Sequence, residues 1–246
     1  MRYYYKHLLP KNELKRLNYL SLAFAVLFAF LIIIPSFLDR EFIFYNLIKD
    51  GDVVDLLTPF ILIPLYWQLF QTSPKYQPSS QETLIFSILA VFWVQGQGMH
   101  LAANSIGHLA LDLPDTNKIK TLTHFYDEIL SHYWWDCGSL GLSTLLIYRH
   151  WKYLFVGQNS KLALPISAGF IHGFTYFAGI VESATTSIGV PFAIMATAVL
   201  FWGRKNVKQQ PILTFFFVTY LVACIFFLGW GLYHGGLPEF SEIGII

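Results

Sequence analysis

Seven long apolar runs, separated by short polar connections, constrain this 246-residue chain more than any other feature. They cover residues 19–38, 53–71, 83–105, 125–148, 162–181, 188–203 and 212–233. Crossing the hydrocarbon core takes about 20 mostly apolar residues, and an open chain in lipid satisfies its own backbone only as a helix. The runs are too long and too uniformly apolar for barrel strands. The sequence therefore predicts an all-α, polytopic integral membrane protein, a seven-transmembrane-helix bundle forming one domain over residues 1–246. The sixth run is short, at 16 residues, and begins at Gly189 and Pro191, which fits little tilt or a place inside the bundle. Composition agrees, since only 13% of residues are charged where soluble domains carry about 25%. With 55% hydrophobic residues and a mean hydropathy of +0.50, a soluble domain, a disordered chain and a nucleic-acid binder working through a basic face are all excluded.

The first run is longer than the apolar core of a typical signal peptide. The stretch Ile34-Pro35-Ser36-Phe37-Leu38-Asp39 carries no small-x-small cleavage site, so the run reads as a retained helix. Turn signals such as Ser73-Pro74, Gln77-Pro78 and Pro211 separate the later runs, and no repeat or low-complexity tract is present. Orientation follows from Lys and Arg. Twelve sit on one side, namely Arg2, Lys6, Lys11, Lys15, Arg16, Lys75, Arg149, Lys152, Lys161, Arg204, Lys205 and Lys208. Only Arg40, Lys49, Lys118 and Lys120 sit on the other. That bias predicts a cytoplasmic N-terminus, an extracytoplasmic C-terminus and residence in the plasma membrane. Trp67, Trp151, Tyr153, Trp202, Trp230 and Tyr233 lie near run ends, as interfacial anchors do.

Against this background the polar residues inside the runs stand out, because each ionisable group at a helix centre costs about 2.5–3.5 kcal/mol on insertion scales. In the third run Gln97, His100, Asn104 and His108 recur every three or four residues and share one face. In the fourth, His124, Glu128, His132 and Asp136 are each four apart, with Asp127 alongside. The fifth carries His172 near its middle and Glu182 at its outer end, and His234 follows the seventh. Asp52 and Asp55 open the second run, where carboxylates suit the positive end of a helix dipole. The predicted topology places six of the eight histidines in the outer leaflet, leaving His7 and His150 as incidental residues of cytoplasmic loops.

Residues eight apart on a helix are separated by about 12 Å, so His100 and His108 do not share an ion, nor do His124 and His132. The expected first shell combines His100, His132 and His172, with Glu128 or Asp136 as ligand or general base. Such a set suits a divalent metal, zinc ahead of iron. Gln97, Asn104, His108, His124, Asp127 and Glu182 are expected as outer-shell or substrate contacts. Packing alone also accounts for single polar residues, through interhelical hydrogen bonds of about a kilocalorie or less. Glu182 and His234, at the water boundary, fit that simpler account best. Ser167, Ala168, Gly169, Gly173, Ala178 and Gly179 give the fifth helix a smooth face for close packing. Cys137 and Cys224 read as small core fillers.

Known histidine motifs of membrane enzymes are not matched. There is no His-His pair of the kind in di-iron desaturase boxes, and no HExxH. Seven helices with a His and carboxylate cluster resemble the alkaline ceramidase and adiponectin-receptor group in architecture only, since that group's HxxxH pair in the last helix is missing. The expectation is a membrane-embedded metal-dependent hydrolase acting on a hydrophobic, lipid-like substrate from the extracytoplasmic leaflet, with membrane lipid as its surroundings and no nucleic-acid partner. Two alternatives stand beside it. One is haem-binding electron transfer with His100, His132 and His172 as axial ligands. The other is proton or metal-ion transport along a His and carboxylate relay.

Overall fold

In a computed structural model, described over residues 11–71, 77–110, 112–114, 116–152, 162–203, 207 and 210–245, the chain is almost wholly helical. The order is α1 (Lys11–Ile33), α2 (Asp50–Phe70), α3 (Ser80–Leu109), α4 (Lys118–His124), α5 (His132–Lys152), α6 (Ala163–Glu182), α7 (Thr186–Trp202) and α8 (Pro211–His234). A π-helical segment, Phe125–Ser131, joins α4 to α5 without a break. His7 and Tyr153, and with them Arg2, Lys6, Lys75, Lys161, Arg204, Lys205 and Lys208 of the charge bias, lie outside the described residues.

Among the described residues five helices are long and apolar enough to cross a membrane, those centred on α1, α2, α3, α6 and α8, which makes this a multi-pass integral membrane protein. The other two runs fall short of that mark for different reasons. α7 has only 17 residues. α5 has 21, but it carries His132, Asp136, Arg149, His150 and Lys152. One departure from a purely helical fold lies between α1 and α2, where Glu41–Phe42 pairs with Tyr45–Lys49 in a small antiparallel hairpin. An Asp39–Lys49 ion pair closes its base, and the lysine holds the Asp39 carboxyl below the usual range.

Glycines set the helix spacing. A side chain at Gly96 of α3 would come within 2.5 Å of the Trp135 nitrogen and 2.7 Å of the Ser131 oxygen, and one at Gly138 of α5 within 2.6 Å of the Trp93 nitrogen. The two helices thus touch backbone to backbone, each through a position with no Cβ. On α6, Gly169 and Gly173 meet the Phe215 and Thr219 carbonyls of α8 in the same way, as the small-residue face predicts. Around these seams Phe24, Tyr66, Trp93, Phe215, Phe216 and Tyr220 form a fully buried aromatic core, with the Tyr66 hydroxyl 3.0 Å from that of Ser143.

The two ends of the bundle differ. At one, the start of α3 and the end of α5 are tied by Glu82 and Arg149, 2.9 Å apart and both buried. The Arg149 Nε also donates to the Phe70 carbonyl at the end of α2 (2.8 Å), and Glu82 completes a capping box with Ser79. Arg149 and His150 are therefore interior groups rather than loop residues, with His150 only 5% exposed. Burial of the last turn of α5 against α2 overturns the expectation that His150 is incidental.

Gly138→Ala forces a methyl group into the α3–α5 seam and is expected to lower the detergent-solubilised protein's stability by about 1–3 kcal/mol. Gly98→Ala, which meets nothing within 4 Å, leaves stability unchanged or slightly raised by helix propensity. Paired thermal melts of the two variants check the contrast.

Candidate functional site

At the other end, where α1, α3 and α6 finish and α2, α5 and α7 begin, the helices splay around a cavity of about 970 Å³. Its inner wall is apolar, with Phe28, Ile32, Ile33, Phe174 and Ile180. Its lining carries His100, His124 and His132 and six carboxylates, Asp55, Glu128, Asp136, Glu182, Glu239 and Glu242, with hydroxyl residues such as Ser139, Thr175 and Ser183 among them. The volume lies at the upper end of the range for small-molecule sites.

The α3–α5 seam builds the centre of this cavity. One turn beyond Gly96, His100 faces the π-helical segment, and its Nδ1 lies 2.8 Å from Asp127 Oδ1. The His132 ring is beside it, with ring centres 5.0 Å apart. His132 Nδ1 donates to the Ser183 carbonyl at 3.1 Å, and the Glu128 carboxylate stands 3.9 Å from the same nitrogen. Each imidazole is thus held through Nδ1, by a carboxylate in one case and a carbonyl in the other, which leaves Nε2 as the nitrogen to offer the cavity. The wide π turn accounts for the choice of carboxylate. A strict i,i+4 stripe groups Glu128 with His132, whereas the π turn turns Asp127 toward α3 and buries it to 8% exposure. Ser131 Oγ, bonded to the Asp127 carbonyl, secures that turn.

The α6–α7 turn supplies the remaining support. Ala184 takes a left-handed conformation, φ 52°, which costs an alanine about 1–2 kcal/mol. In return its neighbours converge on α5. The Ser183 carbonyl holds His132, while Thr185 Oγ1 donates to Asp136 Oδ2 and Ser183 Oγ lies 3.5 Å from the same oxygen. Asp136 is thereby spent on the turn and faces the cavity already satisfied.

Other expected site residues are placed elsewhere. His172 is separated from the imidazole pair. It is 2% exposed, its ring packed among Phe28 (4.5 Å), Phe24 and Phe215 (5.3 Å each), and it does not line the cavity. The Gly169 and Gly173 contacts draw α6 toward α8, so His172 turns into the core, and the expected His100, His132 and His172 triad is corrected to a pair. Among the described residues no three His, Cys, Asp or Glu side chains stand ready as a metal cluster. Gln97 is buried below the pair at 2% exposure. Asn104 donates to Asp52 (3.1 Å), tying α3 to the start of α2, so it serves the bundle rather than the cavity. His108 ends α3 outside the lining, where a basic group suits the helix terminus. His124 does line the cavity, and His234 packs against Trp230 with ring centres 4.2 Å apart.

Glu182 has a role that its position at a run end did not reveal. Its Oε2 accepts from the Phe240 and Ser241 amides, at 2.8 and 3.3 Å, and so fastens the segment after α8 across the cavity mouth. Trp230 Nε1 donates to the Pro238 carbonyl at 3.0 Å, and its ring contacts Phe240 at 4.8 Å. Sequence reasoning missed Ser183, Thr185, Glu239 and Glu242 as lining or supporting groups, for they sit in turns with no periodic signal. Asp55, one turn inside the second run, was visible but read as a helix start.

No protein-family model matches the chain, and no curated protein or solved structure matches it.

The Glu239 carboxyl is raised above the ordinary glutamate range, chiefly by desolvation and then by Glu242, Glu182 and Glu128, with His124 opposing. A raised carboxyl binds more protons folded than unfolded, so ionisation of Glu239 weakens docking of the C-terminal segment as pH rises through the raised value. Exchange protection of the Phe240 and Ser241 amides, corrected for intrinsic rate, is expected to fall across that window. Glu239→Gln flattens the dependence.

Proposed function

We propose that this protein is a membrane-embedded, metal-dependent hydrolase that takes a lipid-like substrate from the extracytoplasmic leaflet. In this reading α5 and α7 also cross the membrane, giving seven spans in the plasma membrane, with the N-terminus cytoplasmic and the cavity opening outside. The excess of Lys and Arg on the opposite side supports that orientation.

The observation that carries the reading is the pair of imidazoles. His100 and His132 come from different helices, face one another at 5.0 Å, and each has Nδ1 engaged by a carboxylate or a carbonyl. Metal-ligating histidines are held in that way, by an outer partner that fixes the tautomer and aims the other nitrogen. Glu128 is the third ligand. It stands 3.9 Å from His132 Nδ1, is about half exposed and makes no hydrogen bond among the described residues, so its side chain is free to turn toward Nε2. Two histidines and a glutamate with one open position form an established catalytic zinc arrangement, and zinc is preferred here to iron. The metal would lower the pKa of a bound water to about 7 and polarise the bond to be broken. Asp127 and Ser183 hold the rings in place, and Asp136 acts by anchoring the α6–α7 turn rather than as general base.

Elemental analysis of the purified protein tests the reading. About one zinc per chain is expected, lost in His100→Ala and His132→Ala and retained in His172→Ala, with melts and gel filtration confirming that each variant is folded. A metal-free wild type, or zinc undiminished in the His100→Ala and His132→Ala double variant, overturns it.

A further inference from the structure

We propose that the hairpin between α1 and α2 dips its tip, Ile43 and Phe44, into the lipid interface on the cavity side of the membrane, and so fixes the cavity rim at that level. This placement needs α1 and α2 to cross the membrane and takes nothing from the hydrolase reading.

The chemistry of the turn is the first reason. Phe42 pairs with Tyr45, so the connection between the strands is the two residues Ile43 and Phe44. Two-residue hairpin turns favour Asn, Asp and Gly, which tolerate left-handed backbone and are at home in water. Here both positions are apolar, 79% and 85% exposed, and neither has a positive φ. Backbone geometry does not select these residues, and the protein interior does not bury them. The pattern extends along both strands. Phe42-Ile43-Phe44-Tyr45-Asn46-Leu47-Ile48 contains no charge, whereas Asp39, Arg40 and Glu41 precede it and Lys49 and Asp50 follow. A charged base with an apolar, aromatic tip is the layout of an element that crosses the boundary between water and lipid.

The position of the hairpin says what meets that tip. It joins the spans Glu13–Phe37 and Asp50–Phe70 directly, and its base is held to both. The Asp50 amide donates to the Arg40 carbonyl at 2.8 Å and the Gly51 amide to the Leu38 carbonyl at 3.1 Å. A side chain at Gly51 would come within 2.7 Å of the Pro35 oxygen, so the two helix ends touch there. The hairpin is thereby kept at the membrane surface. Its strand Tyr45–Lys49 packs against α2 and α3, whose exposed side chains Phe60, Ile106 and Leu109 are apolar as well. Contiguous exposed apolar surface of this kind marks an interaction site, and lipid is the apolar phase that meets all of it. Pro35, Ser36 and Phe37, in the turn from which the hairpin springs, line the cavity. An anchored tip therefore holds that side of the opening against the bilayer.

Power-saturation electron paramagnetic resonance tests this in phosphatidylcholine nanodiscs loaded with one chain each, on a Cys137→Ala, Cys224→Ala background. Spin labels are attached at Phe44→Cys, at Glu41→Cys in the base and at Phe60→Cys as the lipid-facing reference. The readout is the ratio of collisions with oxygen to collisions with a water-soluble nickel chelate. At position 44 it is expected to exceed that at 41 by about threefold or more and to approach that at 60. A label at Leu47→Cys, read with the tip intact, is expected to share the high ratio and to lose about threefold of it when Ile43→Ser and Phe44→Ser are added. Gel filtration and melts confirm that each variant is folded. Position 44 as open to nickel as position 41 overturns the proposal, as does a ratio at 47 unmoved by the serine pair. A high ratio found only in discs holding two chains, with spin–spin broadening between labels at 44, assigns the tip to a second copy and overturns it too. If Phe44→Cys does not fold, the Leu47 series decides.

Discussion

The contact between α3 and α5 at Gly96 and Gly138 is the constraint on which the site depends. Side chains normally keep helix axes about 8–10 Å apart, and removing the Cβ from both sides of a crossing lets backbones meet. Here the contact lies one turn from His100 and immediately beside Ser131, so the same close approach brings His100 against Asp127 and His132. Without it the two histidines would face each other across a layer of side chains. The dispersion energy of the seam offsets the cost of gathering ionisable groups there.

Much of this was legible in the residues. Run length and hydropathy identify the apolar helices, and the small residues of the fifth run foretell the α6–α8 contact at Gly169 and Gly173. The stripes on the third and fourth runs put His100, His124, Glu128, His132 and Asp136 at one end of the bundle, where all five line the cavity. What failed was rotation and depth. His172 shares the bundle with the pair, but periodicity does not say which neighbour a helix face meets, and α6 turns that face to Phe24, Phe28 and Phe215. Asp127 was expected as an outer contact, but a uniform α-helix did not show that it meets His100, since a π turn changes which residue faces α3. Ser183, Thr185 and the segment beyond His234 act through turns, and turn residues leave no periodic trace in a sequence.

The supporting turn shows how strain and function sit together. Ala184 occupies a backbone region that alanine avoids, and the residues on either side of it hold His132 and Asp136 of α5 at the cavity. A relaxed connection would free Asp136 and leave His132 Nδ1 without its carbonyl. The cost falls on a residue with no side-chain role, and the gain is orientation of an imidazole.

The two ends of the bundle solve opposite electrostatic problems with the same kinds of residue. At one end Glu82 receives Arg149 at 2.9 Å, Lys152 stands at 3.8 Å, and the arginine also closes the carboxyl end of α2. Glu82, Arg149 and Lys152 are answered from within the chain, which is the signature of a structural tie. At the cavity end six carboxylates share the lining with three histidines and no Lys or Arg. Burying acids without counter-charge destabilises a fold by itself, and nothing in helix packing calls for it, since Asn104 and Ser105 show that neutral groups suffice to join α2 and α3 through Asp52. The two ends thus divide the ionisable residues into a structural tie and a cavity lining. A fold that pairs its acids with cations at one end has the means to do so at the other, and the unpaired end is the one with room for a ligand.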